Sequence, residues 1–116
     1  MKASVNHSFV ETNAAGFRAD AGGTMTVKDS VSTGNAFNGF IANAGGVINA
    51  HSCVASHNLN GVAANGGILR MADMTIMNNS GTGVLPVTAN SIFTFSDNKV
   101  AGNGTDGTAS AAISPR

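Results

Sequence analysis

Residues 35–67 read NAFNGFIANAGGVINAHSCVASHNLNGVAANGG, one phrase given twice. Asn35, Gly39, Phe40 and Gly45–Gly46 return as Asn58, Gly61, Val62 and Gly66–Gly67. The phrase extends in both directions. Asn recurs at Asn13, Asn35, Asn58, Asn79 and Asn103, at spacings of 21 to 24 residues. Gly follows three or four residues later, at Gly16, Gly39, Gly61, Gly83 and Gly107. An apolar residue comes next in four units: Phe17, Phe40, Val62 and Val84. Six residues before each Asn stands a short polar residue: His7, Asp29, Ser52, Asp73 or Asp97. A repeat of this length is the mark of a stacked array, in which one unit cannot bury its own apolar face but neighbours bury it together.

Within a unit, apolar residues alternate after the Gly pair: Met25 and Val27, Ile48 and Ala50, Leu69 and Met71, then Phe93 and Phe95. Period-two alternation is the strand pattern, one face in and one face out. A second short strand precedes the Asn, around Phe9, Val31, Val54 and Thr75, and a third follows the Gly, around 17–19, 40–42, 62–64 and Val84. The pattern predicts an all-β, right-handed, single-stranded parallel β-helix solenoid of about five coils of 22–24 residues. It forms one domain over 1–116, with coils at 5–26, 27–49, 50–71, 72–95 and 96–110. Its handedness follows the rule for parallel crossovers. Each Asn is expected to bond the Asn above and below, as in stacked amide ladders. Each Gly is expected to supply a positive φ or a close approach. Pro86 and the missing Gly pair predict a bulged loop in the fourth unit, because Pro cannot donate to a ladder.

Composition excludes several alternatives. Leu occurs only at Leu59, Leu69 and Leu85, while Gly and Asn are abundant, which rules out a helical bundle and a leucine-rich repeat. The GGxGxD nonapeptide of calcium-binding solenoids is absent. Six basic and six acidic side chains leave no basic face for phosphates, so no nucleic acid is expected as partner. No apolar stretch approaches the ~20 residues of a membrane span, so no membrane is expected either. The N-terminus shows no apolar signal segment, and cytoplasmic is the default expectation.

The stretches DSVSTGNAFNGFIANAGG and SCVASHNLNGVAANGG resemble the rungs of the pectate-lyase-like right-handed parallel β-helix proteins, with their N-x-x-G-apolar turn and Asn ladder. The resemblance covers residues 5–107. It implies an architecture shared by polysaccharide lyases and hydrolases, phage tailspikes and non-enzymatic modules.

A handful of side chains are candidates for chemistry. Asp73 and Asp97 fall at equivalent places in adjacent coils, about 4.8 Å apart along the stack. Their repulsion would be relieved by a shared Ca²⁺ or by a raised pKa. No other cofactor is expected. Asp, Ser and His alternate in that column, which favours turn capping instead. Arg70 is expected on an outward face in the column of Thr26, Asn49 and Thr94, near His51, Lys28 and Asp29. Resemblance to lyases that use a basic residue with acidic calcium ligands makes Arg70, His51, Asp73 and Asp97 weak catalytic candidates, with Asp73 joining the patch of Arg70, beside a solvated-face reading. His51 and His57 lack a third metal ligand. Cys53 stands in the column of Ser8, Ser30, Met74 and Asn98, and a small partly buried thiol is expected there rather than a nucleophile.

In the last unit Lys99 and Thr108 replace apolar residues, which predicts a wet C-terminal end. The first unit carries Phe9 and Phe17 at an uncovered rung end. They are expected to form an interface in a homo-oligomer joined through the N-terminal coil. The function expected first is therefore a non-enzymatic structural or interaction module that self-associates. The alternatives are a carbohydrate-binding module or remnant of a polysaccharide lyase or hydrolase, and a piece of a longer β-helix surface or phage protein.

Overall fold

The structure, a computed structural model, describes residues 2–112. Those residues contain strands and turns and no helix. The strands in chain order are β1 (Lys2–Asn6), β2 (Phe9–Glu11), β3 (Ala15–Ala19), β4 (Thr24–Lys28), β5 (Val31–Thr33), β6 (Asn38–Asn43), β7 (Val47–His51), β8 (Val54–Ser56), β9 (Asn60–Asn65), β10 (Ile68–Ala72), β11 (Thr75–Met77), β12 (Thr82–Pro86), β13 (Ile92–Thr94), β14 (Lys99–Ala101), β15 (Thr105–Gly107) and β16 (Ala111–Ala112). Every third strand joins the same sheet. Sheet A runs β1-β4-β7-β10-β13-β16, sheet B runs β2-β5-β8-β11-β14, and sheet C runs β3-β6-β9-β12-β15. All pairings within them are parallel, so the chain is a parallel β-solenoid of about five turns.

The interior is a set of columns, one residue per coil. Val5, Val27, Ala50, Met71 and Thr94 form one; Ala3, Met25, Ile48, Leu69 and Ile92 form the next. Val10, Ser32, Ala55, Ile76 and Val100 line the sheet B side, and Phe17, Phe40, Val62 and Val84 the sheet C side. Large residues in one column are offset by small ones in another: Phe40 shares its coil with Ser32, and Met71 with Val84. Ile48, Leu69, Ile76 and Ile92 are fully buried, each worth about 1.5–3 kcal/mol of transfer free energy.

The Asn ladder forms as the repeat requires. The backbone N–H of Asn13, Asn35, Asn58 and Asn79 donates in turn to Oδ1 of Asn35, Asn58, Asn79 and Asn103, at 2.9–3.1 Å. Each Asn Nδ2 from Asn58 onward also donates backwards, Asn58 to the Ser32 carbonyl, Asn79 to Ala55 and Asn103 to Ile76. The ladder explains the Gly three or four residues on. A Cβ on Gly39 would lie 2.8 Å from Asn58 Nδ2 and 2.6 Å from the Gly61 carbonyl. A Cβ on Gly83 would lie 2.6 Å from Asn103 Nδ2. Close approach, not a positive φ, is what Gly provides at these positions. In the fifth coil the equivalent position is Asp106 rather than Gly107, since Val84 pairs with Gly107. Asp106 Oδ1 accepts from both the N–H and Nδ2 of Asn103, at 3.2 and 2.9 Å. One carboxylate thus takes the place of the Asn that a following coil would supply.

Several expectations shift by one residue. Ile92 and Thr94, not Phe93 and Phe95, continue the inward columns of Leu69 and Met71. The missing Gly pair is replaced by a turn in which Ser91 Oγ bonds the Thr88 carbonyl, and this sets the new phase. In sheet B the inward residues are the middle ones, so Phe9, Val31, Val54 and Lys99 face outward. Lys99 is therefore not a polar residue in a core position. Thr108 falls outside β15 and does not continue the Phe17 column. Pro86 sits at the last position of β12, paired with Ala64 and beyond the reach of β15, where its missing N–H breaks no ladder.

The interface pair is split. Phe17 is buried within the single chain, 6% exposed, with its ring stacked on Phe40 at 5.0 Å. Phe9 is 64% exposed, but on the outer face of sheet B rather than at a rung end. The strand β1 supplies the sheet A side of the first rung, and β1, β2 and β3 are the edge strands of their sheets.

Candidate functional site

The turn between sheets A and B holds the acidic candidates. His7, Asp29, Ser52 and Asp73 all adopt left-handed backbone, φ 49° to 54°, a conformation that short polar side chains tolerate. In the first three turns the N–H of this residue donates to a carbonyl in the next coil, His7 to Lys28, Asp29 to His51 and Ser52 to Ala72. The fifth coil has one extra residue here, between Thr94 and Lys99. Its left-handed residue is Ser96, and Asp97 Oδ1 replaces the carbonyl by accepting the N–H of Asp73 at 2.9 Å. The other Asp73 contacts are local: Ser52 Oγ donates to its Oδ2 at 3.0 Å, and Lys99 Nζ lies 3.9 Å from its Oδ1. Among the described residues no three His, Cys, Asp or Glu side chains come together as a metal site.

Arg70 projects from the outer face of sheet A with Nη1 donating to Asn49 Oδ1 at 3.2 Å. Its neighbour in the next coil is Phe93, not Thr94. Phe95 also turns outward, and with His51, Thr26 and Ala72 it borders a shallow cleft of about 240 Å³ around Arg70. His51 pairs in register with Lys28 and contacts Ser52 Oγ through Nδ1 at 3.2 Å. Asp29 instead faces His7, 3.8 Å away, on the neighbouring turn. The sheet A patch therefore brings Arg70, His51 and Lys28 onto one face and leaves the carboxylates of Asp29, Asp73 and Asp97 around the corner.

Cys53 is 1% exposed, its thiol donating to the His51 carbonyl at 3.3 Å. Burial pushes its pKa up. Ionising it carries charge into the interior, so its contribution to stability is complete below the ordinary thiol value of about 8.5 and is lost as pH rises above it. The urea midpoint is expected to fall between pH 8 and 10, with the fall abolished in Cys53→Ser. An equal fall in that variant would assign the pH dependence to other groups.

The larger site lies on the outer face of sheet C, where the sequence singled out no residue. A groove of about 460 Å³ runs across β3, β6, β9 and β12. Its floor is the outward column Arg18–Ile41–Ala63–Leu85. Ile41 is 8% and Ala63 1% exposed although both point away from the core, which marks the face as concave. Asn38 and Asn60 form one wall, linked at 3.2 Å, beside the exposed ring of Phe37. Asn43 and Asn65 form the other, with exposed Val87 beyond. At the N-terminal end Arg18 Nε bonds both Asp20 oxygens at 3.0–3.1 Å, and Asn43 Nδ2 donates to Asp20 Oδ1 at 2.9 Å. Those bonds, Asn43 first, hold the Asp20 pKa below its ordinary value. Arg18 is the one charged side chain lining the groove, and it is paired with Asp20 beside it. Comparison with protein-family models, with curated proteins and with solved structures gave no match in any of the three.

Proposed function

We propose that the chain is a non-enzymatic β-solenoid interaction module whose ligand-facing surface is the sheet C groove. The groove carries this reading: it crosses four strands of sheet C, and amides, aliphatic side chains and Phe37 line it, with Arg18 at one end and without an acid–base pair. The candidate catalytic groups have local partners instead, Arg70 on Asn49, Asp97 on the Asp73 backbone and Asp73 on Ser52. Those bonds favour structural roles for all three. Resemblance of the repeat to pectate-lyase-like β-helices supports the neighbouring reading of a carbohydrate-binding module or polysaccharide-lyase remnant, with Ca²⁺ near Asp73 and Asp97 as its ion.

Self-association is carried by sheet B. Phe9 stands in an outward column with Val31 and Val54, a strip of apolar side chains on the outer face. Such a strip is suited to meeting its own copy across a two-fold axis. Light scattering coupled to size exclusion is expected to show a molar mass that rises with concentration, and Phe9→Ser to hold the protein monomeric. A monomer at every concentration in the parent chain overturns the self-association.

A further inference from the structure

We propose that Asn65 is a self-modification site, at which the backbone nitrogen of Gly66 converts the side-chain amide into a carboxylate. The chemistry does not depend on what the groove binds. Asn followed by Gly occurs at 38–39, 60–61, 65–66 and 103–104. Gly lacks the Cβ that would hinder its own nitrogen from approaching the preceding side chain. The fold separates these pairs. Gly39 and Gly61 are buried within β6 and β9. Asn60 is held at both ends of its amide, Oδ1 accepting the Thr82 N–H at 3.0 Å and Nδ2 donating to Asn38 Oδ1 at 3.2 Å. Asn103 is held by Asn79, Ile76 and Asp106, and the Gly104 N–H donates to the Asn79 carbonyl at 3.0 Å.

The pair at 65–66 is held least. Asn65 is the last residue of β9, and both it and Gly66 are exposed. The Asn65 amide has no hydrogen-bond partner among the described residues. Pairing with the next coil stops one residue earlier, where Ala64 meets Pro86. The Gly66 N–H donates to the Thr88 hydroxyl, 3.0 Å away in an exposed bond that water can replace. In the preceding coil the equivalent Asn43 is followed by Ala44 and donates to Asp20 at 2.9 Å. The irregular fourth unit, with Pro86 and no Gly pair, thus leaves this one turn unlocked.

Hydroxide takes the Gly66 N–H proton, and the nitrogen attacks Asn65 Cγ. The N–Cγ bond forms as Cγ–Nδ2 breaks, and Nδ2 leaves as ammonia after taking a proton from water. The product is a cyclic imide. Water then opens it at either carbonyl, to aspartate or to isoaspartate at position 65. Water enters and ammonia leaves, with no change of oxidation state. The new carboxylate stands on the wall of the sheet C groove, in register with Asn43. A chain of zero formal net charge becomes acidic.

The test incubates the full chain in heavy-oxygen water at neutral and at mildly alkaline pH, folded and in urea, and reads each Asn–Gly pair by peptide mass spectrometry. In the folded chain Asn65 should convert at least about tenfold faster than Asn38, Asn60 or Asn103, because those pairs must first open locally. Both acids should carry heavy oxygen, and the rate should rise with pH. In urea the pairs should convert at comparable rates. Asn65→Gln should stop the reaction at that position, since Gln must close a larger ring. That side chain is exposed, so the urea midpoint should stay unchanged. No conversion at Asn65, or equal rates across the folded chain, overturns the proposal. Aspartate without isoaspartate overturns the cyclic route, and a lead for Asn65 that persists in urea overturns selection by the fold.

Discussion

Asn58→Ala is expected to lower the unfolding free energy by about 3–5 kcal/mol, most of what a small domain has to lose. The Asn58 side chain is 2% exposed and joins three coils. Its Oδ1 accepts both the N–H and the Nδ2 of Asn35, at 2.9 Å each, and its Nδ2 donates to the Ser32 carbonyl at 3.0 Å. Truncation takes the acceptor from the buried Asn35 N–H, one of two acceptors from Asn35 Nδ2, which keeps Ser32 Oγ, and a donor from the Ser32 carbonyl, each loss costing up to about 1–3 kcal/mol when water cannot enter. Asn13→Ala is the control. That residue is exposed, and its own N–H still donates to Asn35, so the expected loss is under about 1 kcal/mol. Urea titrations followed by circular dichroism measure both, since the chain has no Trp or Tyr to report by fluorescence. Equal losses at Asn58 and Asn13 would show that the ladder does not hold the interior together.

Gly39→Ala is expected to cost as much or more, about 4 kcal/mol, with a shifted Asn58 side chain. The added methyl would meet the Gly61 carbonyl at 2.6 Å, Asn58 Nδ2 at 2.8 Å and Ala55 Cβ at 3.2 Å, and the first of these is backbone that cannot swing aside. Gly34→Ala separates this crowding from simple backbone strain. Gly34 has φ 65°, and nothing lies within 4 Å of the place its methyl would take, so only the left-handed penalty of about 1–2 kcal/mol applies. The double variant Asn58→Ala with Gly39→Ala should lose less than the sum of the two, because removing the amide vacates part of the space the methyl needs. Strict additivity would mean that the Gly is not there to admit the Asn.

The ladder and its Gly are legible in the sequence because both recur at one period and each answers a need set by the neighbouring coil. The phase of sheet B is not. Its strands are three residues long, and in Val31-Ser32-Thr33 the residue that turns inward is the hydroxyl, fully buried with its Oγ on the Gly39 carbonyl at 2.8 Å. Hydropathy alone places Val31 inside. Phe9 falls to the same ambiguity, while Phe17, in a five-residue strand, does belong to the inner column although not to a surface. Alternation gathers Arg70, His51 and Lys28 on one outward face, as the structure does, since the strands of sheet A are longer and their register regular. The slip at Phe93 comes from a turn that lost its Gly pair. The sheet C groove could have been suspected from Ile41 and Leu85, apolar residues at outward places, but its shape depends on side chains from four coils.

The amide ladder has a direction, and this bears on how the chain is made. Every Asn N–H looks forward to an oxygen that belongs to the coil synthesised next. A ribosome delivers the coils in that order, so each newly emerged rung is left one acceptor short until its successor arrives and locks it. Growth is thereby templated from behind and completed from in front, like a zip drawn in the direction of translation. Asp106 ends the dependence: drawn from the same rung as Asn103, it closes the last link without waiting for more chain.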